Sequence, residues 1–190
     1  MCEDRRYNRN IITGSKYHAV RTTGGKLTMT DNLIINNKNR GVYLGNKSGS
    51  GSIVNNLLIG NASGIDGMSA CRFSVQNNVI LKSTYAAISA RPFSRLMVRN
   101  NILADNPRGI IIHQEEGKSN PIQSKLGVNV FWKNQADTEN CESPDMLNQE
   151  PDFIEPGNGN FKLADPAFEG MGLKDPKVIF DLWQKYKESK

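Results

Sequence analysis

Cysteine is scarce in this 190-residue chain: Cys2, Cys71 and Cys141 are odd in number, far apart and never spaced C-x-x-C. That pattern indicates neither a disulfide framework nor a zinc knuckle, and it leaves the redox compartment open. A run of eighteen or more apolar residues is also missing, so no helical membrane span is expected. Met1 to Asn10 is polar and charged without an apolar core, and the chain as it stands is expected to carry no secretory signal. Leu, Ala and Glu are thin beside abundant Gly and Asn. This balance argues against a helical bundle and for one domain made of many tight turns.

Charge is unevenly placed. Residues 1 to 112 carry fifteen Lys/Arg against five Asp/Glu, whereas 113 to 173 carry four against eleven. A basic body suits an anionic partner such as a polyuronate or a nucleic acid, and equally suits plain solvation with partial neutralisation by the acidic stretch. Nucleic acid is not the expected partner, because the basic residues alternate without an aromatic-rich RNA motif.

What the sequence does hold is a repeat. Asn10, Asn32, Asn56, Asn78, Asn101 and Asn129 each open a short apolar segment, at separations of 22, 24, 22, 23 and 28 residues. Such a period is too short for helix-pair repeats and suits one coil of a three-strand solenoid. An alternating strand precedes the asparagine, as in Leu27-Thr28-Met29-Thr30 and Leu96-Met97-Val98. Five residues after it come Asn37, Asn61, Ser83, Asn106 and Asn134. A small residue (Ala19, Gly41, Gly64, Ala87, Gly109) then opens another strand. Period-2 alternation sends Ile, Leu and Val inward while successive coils pair their backbones along the axis. A polar group turned inward at the same phase in every coil is satisfied by its own copy in the next, so asparagine ladders are expected. The L-x-x-L-x-L signature of leucine-rich repeats is absent, and a β-sandwich has no need of Asn at one fixed phase.

The fold expected is therefore all-β, a right-handed parallel β-helix of three strands per coil and about five to six coils over residues 8–134. Residues 135–190 are expected to form an irregular C-terminal wrap and a short terminal α-helix at 176–188. The helix signal is Asp175 as N-cap with Pro176 behind it, then Val178, Ile179, Phe180, Leu182, Trp183 and Tyr186 on one face. At the other end the first coil has no capping helix, so further N-terminal coils or a second subunit are expected to cover that edge.

These coils resemble the pectate-lyase-like superfamily of right-handed parallel β-helices, with the six asparagines at the turn between its second and third strands. The run from Glu150-Pro151 to Asp165-Pro166 resembles the closing segment of carbohydrate-active members, where the chain folds back along the solenoid. The resemblance implies a carbohydrate-active protein, extracellular or periplasmic, with an acidic polysaccharide as partner and no membrane association. It implies polysaccharide lyase or related degrading activity; the alternatives are a non-catalytic glycan-binding or adhesin-like module and a phage tail protein. Ca²⁺ is the one cofactor that it admits, with no metal ligands assigned.

In that superfamily the substrate groove runs over the first strand of each coil. Alternation from the small residues places Arg21, Tyr43, Asp66, Ser89 and Ile111 outward, and a second row holds Gly45, Met68, Arg91 and His113. Equivalent side chains on adjacent coils stand about 4.8 Å apart, so Asp66, Ser89, Arg91 and His113 fall in one patch. Hydrolysis needs two carboxyl groups roughly 5 to 9.5 Å apart. The groove offers Asp66 alone, with Asp31 and Asp105 elsewhere on the coil and Glu115 and Glu116 in a loop. The run Asn61 to Gly67 resembles the N-T-D-G-I-D segment of polygalacturonases, but Ser63 stands where its first aspartate would be. β-Elimination on a uronate instead needs a base for the C5 proton and a cation on the carboxylate, which His113 and Arg91 supply. Asp66 completes the expected catalytic set, and Arg21, Tyr43 and Ser89 the expected substrate contacts, Tyr43 as a stacking platform. Each has a plainer reading: His113 as a loop-capping side chain, Arg91 as part of a basic face, Asp66 as an ion-pair partner.

Overall fold

The computed structural model describes residues 4–45, 49–68, 70–114, 124–142 and 146–190. Cys2, Glu115 and Glu116 lie outside the described residues. The repeat folds into three parallel sheets stacked as a solenoid. Sheet A is built from Arg5–Asn8, Lys26–Thr30, Ser50–Val54, Arg72–Gln76, Arg95–Arg99 and Lys125–Leu126. Sheet B holds Ile11–Thr13, Leu33–Ile35, Leu57–Ile59, Val79–Leu81, Ile102–Ala104, Asn129–Trp132 and Met146–Leu147. Sheet C holds Val20–Thr22, Val42–Leu44, Ser63–Gly67, Ala86–Ala90, Arg108–Ile112 and Ala136–Glu139. Solenoid strands thus run from Arg5 to Leu147, past both ends of the 8–134 span that the repeat alone suggests. The last coil escaped the sequence pattern because its turn, Lys133 to Ala136, leads to Ala136-Asp137-Thr138-Glu139, a strand without the aliphatic alternation of its neighbours.

Between sheets A and B the asparagine ladder forms. Asn32 Nδ2 donates to Asn56 Oδ1 at 2.8 Å, Asn56 to Asn78 at 3.0 Å, Asn78 to Asn101 at 3.0 Å and Asn101 to Asn129 at 2.9 Å. Each Oδ1 also accepts the backbone N–H of the preceding coil's asparagine, as Asn101 Oδ1 does from Asn78 at 3.0 Å. These five amides are fully buried and none is left unpaired, which offsets a desolvation cost of a few kcal/mol each. The residue before Asn32, Asn56, Asn78 and Asn101 is left-handed: Asp31, Asn55, Asn77 and Asn100 have φ between 53° and 58°. Asn and Asp tolerate that region at the smallest cost after glycine. A second ladder runs from Asn37 to Asn61 and from Ser83 through Asn106 to Asn134. It is interrupted at Ser83, whose buried Oγ has no partner because its side chain is too short to reach the next coil.

Two apolar clusters result. Inside the solenoid lie Leu27, Ile34, Val42, Ile53, Leu58, Ile65, Ile80, Ile88, Leu103 and Phe131. The small-residue row is small for lack of space: a Cβ on Gly64 would come within 2.6 Å of Ala87 O and 2.5 Å of the Ile80 side chain. Outside sheet B lies the second cluster, where Leu33, Leu57, Val79, Ile102 and Val130 are covered by Phe161, Phe168, Leu173, Ile179 and Leu182 of the C-terminal wrap. This wrap comprises a hairpin of Phe153–Glu155 with Asn160–Leu163 and the α-helix Pro176–Glu188. Asp175 caps the helix by accepting from Val178 N, with Pro176 in the first turn. The wrap is tied to the left-handed turn row: Asn55 Oδ1 accepts from Lys174 N at 2.6 Å, and Asn77 Nδ2 donates to Gly170 O at 2.7 Å. Gly159, at φ 84°, lies so close to Trp183 that a Cβ would fall 2.2 Å from the indole.

Candidate functional site

Sheet C carries the polar outer face. Its register aligns Arg21, Tyr43, Asp66, Ser89 and Ile111 as one outward row, as alternation predicts, and extends it to Glu139. Met68, Arg91 and His113 stack in the second row, their backbone N–H groups donating to Leu44, Gly67 and Ala90. A third row was missed by sequence reasoning: His18, Arg40 and Arg108, each immediately before the small residue. The small residue and the apolar one after it both face the core at a bend, so the residue before them points out again. Both histidines of the chain therefore lie on this one face.

The side chains gather in two groups. In the first, His18 stacks on Tyr43 with ring centroids 4.3 Å apart and planes 13° from parallel. The guanidinium carbons of Arg40 and Arg21 stand 5.2 Å and 5.8 Å from the Tyr43 ring centre. Arg40 forms an ion pair with Asp66. That carboxylate is only 2% exposed, and its Oδ1 has no hydrogen-bond partner among the described residues. Burial, reinforced by Arg40 and Arg21, lowers the pKa of His18 below its ordinary value.

Ser89, Tyr85 and His113 form the second group. His113 Nε2 lies 3.2 Å from Ser89 Oγ and 3.3 Å from the Tyr85 hydroxyl, with the Tyr85 and His113 rings nearly parallel at 6.3 Å. Arg108 sits over Tyr85 at 5.2 Å and donates to Glu139 at 2.7 Å. Burial is the main cause lowering the His113 pKa, followed by the charge of Arg91, while Asp66 and Glu139 pull the other way. The imidazole is thus mainly neutral at pH 7, with Nε2 within hydrogen-bond reach of both hydroxyls.

Arg21, Tyr43, Asp66, Ser89, Arg91 and His113 all lie on sheet C, but not as one equal set. Asp66 belongs to Arg40 and the Tyr43 group; His113 and Ser89 belong with Tyr85, which sequence reasoning passed over. The outward carboxylates, Asp66 and Glu139, are each held by an arginine. No three His, Cys, Asp or Glu side chains converge as metal ligands among the described residues, so Asp66 has no oxygen cage around it for Ca²⁺ there. Burial raises the Cys71 and Cys141 thiols each to about 11.

The sequence pattern described as "right handed beta helix region" matches residues 2–126. This chain belongs to the right-handed β-helix family. Comparison with curated proteins and with solved structures returned no match. The β-helix assignment agrees with the parallel sheets and the buried asparagine ladder; it is compatible with a carbohydrate-active or related protein and names no reaction.

Proposed function

We propose that the outer face of sheet C binds an acidic polysaccharide and cleaves it by β-elimination, in the manner of a pectate-lyase-like enzyme exported to the cell exterior or periplasm. The observation that carries this reading is the contact of neutral His113 with Tyr85 and Ser89, beside Arg91. Arg91 pairs with the uronate carboxylate and so makes the adjacent C5 proton more acidic. His113 Nε2 takes that proton, the C5–H electron pair becomes the C4=C5 double bond, and the C4–O4 bond breaks. The Tyr85 hydroxyl donates its proton to the departing O4, and the proton on His113 passes back to the tyrosinate. Ser89 holds the imidazole in place. Hydrolysis is disfavoured because both outward carboxylates are engaged by arginine.

The test is the absorbance of the unsaturated product on polygalacturonate and on alginate, using wild type, His113→Ala, Tyr85→Phe and Arg91→Ala. Loss of about a hundredfold or more in each variant is expected. Variants that cleave as fast as wild type would sink the assignment. A second reading, a glycan-binding module without turnover, is favoured by the Tyr43 group, where ring and charges are already locked together as a rigid platform. Binding without any unsaturated product would select it.

A further inference from the structure

Sheet B is covered by the C-terminal wrap and sheet C carries the polar groups just described, which leaves the outer face of sheet A without a role. That face mixes basic with neutral side chains. Lys26, Ser50, Arg72 and Arg95 align in one outward row, Thr28, Ser52, Ser74, Met97 and Lys125 in the next, and Gln76 with Arg99 in a third. The strands of sheet A contain no aspartate or glutamate. Among the described residues no carboxylate pairs with Arg72, Arg95, Arg99 or Lys125; the recorded ion pairs use Arg9, Arg40, Arg108 and Lys177. Arg72 stands directly opposite Arg95 in the parallel ladder, a like-charge pairing that disfavours the fold when nothing neutralises it. The two arginines also border a cleft of about 760 Å³, lined further by Ser74, Met97, Phe73, Leu96 and Lys125.

We infer that this cleft is a second, non-catalytic glycan site that holds a stretch of polyuronate across the coils. Two features select that partner over other anions. The coil spacing of about 4.8 Å is close to the length of one pyranose, so a polymer lying along the axis runs in step with the coils. The lining is mixed: guanidinium groups suit carboxylates, while the 43%-exposed Met97 suits the apolar face of a sugar ring. The inference shares a substrate class with the elimination reaction and none of its residues. A protein that makes no unsaturated product still binds through sheet A if the inference holds.

The experiment is affinity electrophoresis of the full chain through gels containing polygalacturonate, neutral dextran or no polymer, with duplex DNA as a competitor. Polygalacturonate is expected to retard wild type and His113→Ala alike, and less so as salt rises. Arg72→Ser/Arg95→Ser is expected to bind roughly tenfold more weakly, while Arg72→Lys/Arg95→Lys keeps most of the retardation. Serine already stands in that row as Ser50, and melting of the double variant checks that it folds. Met97→Glu, which places a carboxylate in the cleft, gives an independent loss of binding if the serine variant is unstable. Undiminished retardation of both variants, equal retardation by dextran, or tighter binding to DNA than to polyuronate each overturns the inference.

Discussion

Sheets B and C share one backbone geometry and one coil spacing, yet their outer faces have gone opposite ways. Sheet B presents Leu33, Leu57, Val79, Ile102 and Val130 outward and buries them under Phe161, Phe168, Ile179 and Leu182. Sheet C presents Arg21, Tyr43, Asp66, Ser89, Ile111 and Glu139, a row in which Asp66, Ser89 and Ile111 are themselves buried. The comparison teaches that the asparagine ladder and the inward aliphatics suffice to specify a coil. The outward rows are therefore free to be spent either on stability or on chemistry. Sheet B's outward row would be a continuous apolar stripe without the wrap, so the wrap is a structural necessity for the fold.

The sharpest way to break the comparison is to spoil sheet B's cover. Ile179→Asp puts a carboxylate into the fully buried contact between helix and sheet and is expected to cost more than about 4 kcal/mol. Urea unfolding and binding of an apolar dye would report it, and an unchanged midpoint would show that the wrap is not what shields the stripe. Next in size is the asparagine ladder between sheets A and B, which specifies every coil. Asn78→Ala removes the acceptor for Asn56 and the donor to Asn101 and Gln76, and about 3 kcal/mol should be lost in the same assay. Ser83→Asn works in the opposite direction: it restores the interrupted second ladder below Asn61 and is expected to add about 1 kcal/mol.

The smallest effect is confined to sheet C. His113 acts as a base only when neutral, and its pKa lies below 6.5, so the acid limb of the elimination rate should have its midpoint below pH 6.5. Arg91→Lys keeps a positive charge and should leave that midpoint nearly in place. Arg91→Ala removes a charge that disfavours the imidazolium and should raise the midpoint in whatever activity remains. A midpoint that stays put in the alanine variant would separate Arg91 from His113.

Much of this architecture was legible in the chain. The ladder positions announce themselves because one residue type returns at one phase, and the outward row of sheet C follows from period-2 counting. Counting failed at the bend. Ala87 and Ile88 both face inward, a doubling that strict alternation does not produce, and so His18, Arg40 and Arg108 were passed over as turn residues. Tyr85, one residue further back, escaped for the same reason. Glu139 was missed because the coil span was ended at Asn134, before the weakly patterned strand Ala136–Glu139. The Asn55 and Asn77 side chains looked like ordinary turn residues, and only their bonds to the wrap show them as anchors.

By itself the amino-acid order determined a parallel β-helix, because inward aliphatics and asparagines at a near-constant interval are satisfied only when each coil lies on its copy. It could not decide which charges meet. Whether Asp66 meets Arg40, twenty-six residues away, depends on how side chains lean across neighbouring coils, and in the fold the two form an ion pair. The placement of the wrap was likewise a tertiary matter, since an apolar helix face only requires cover, and sheet B alone offers an apolar outer row long enough to provide it.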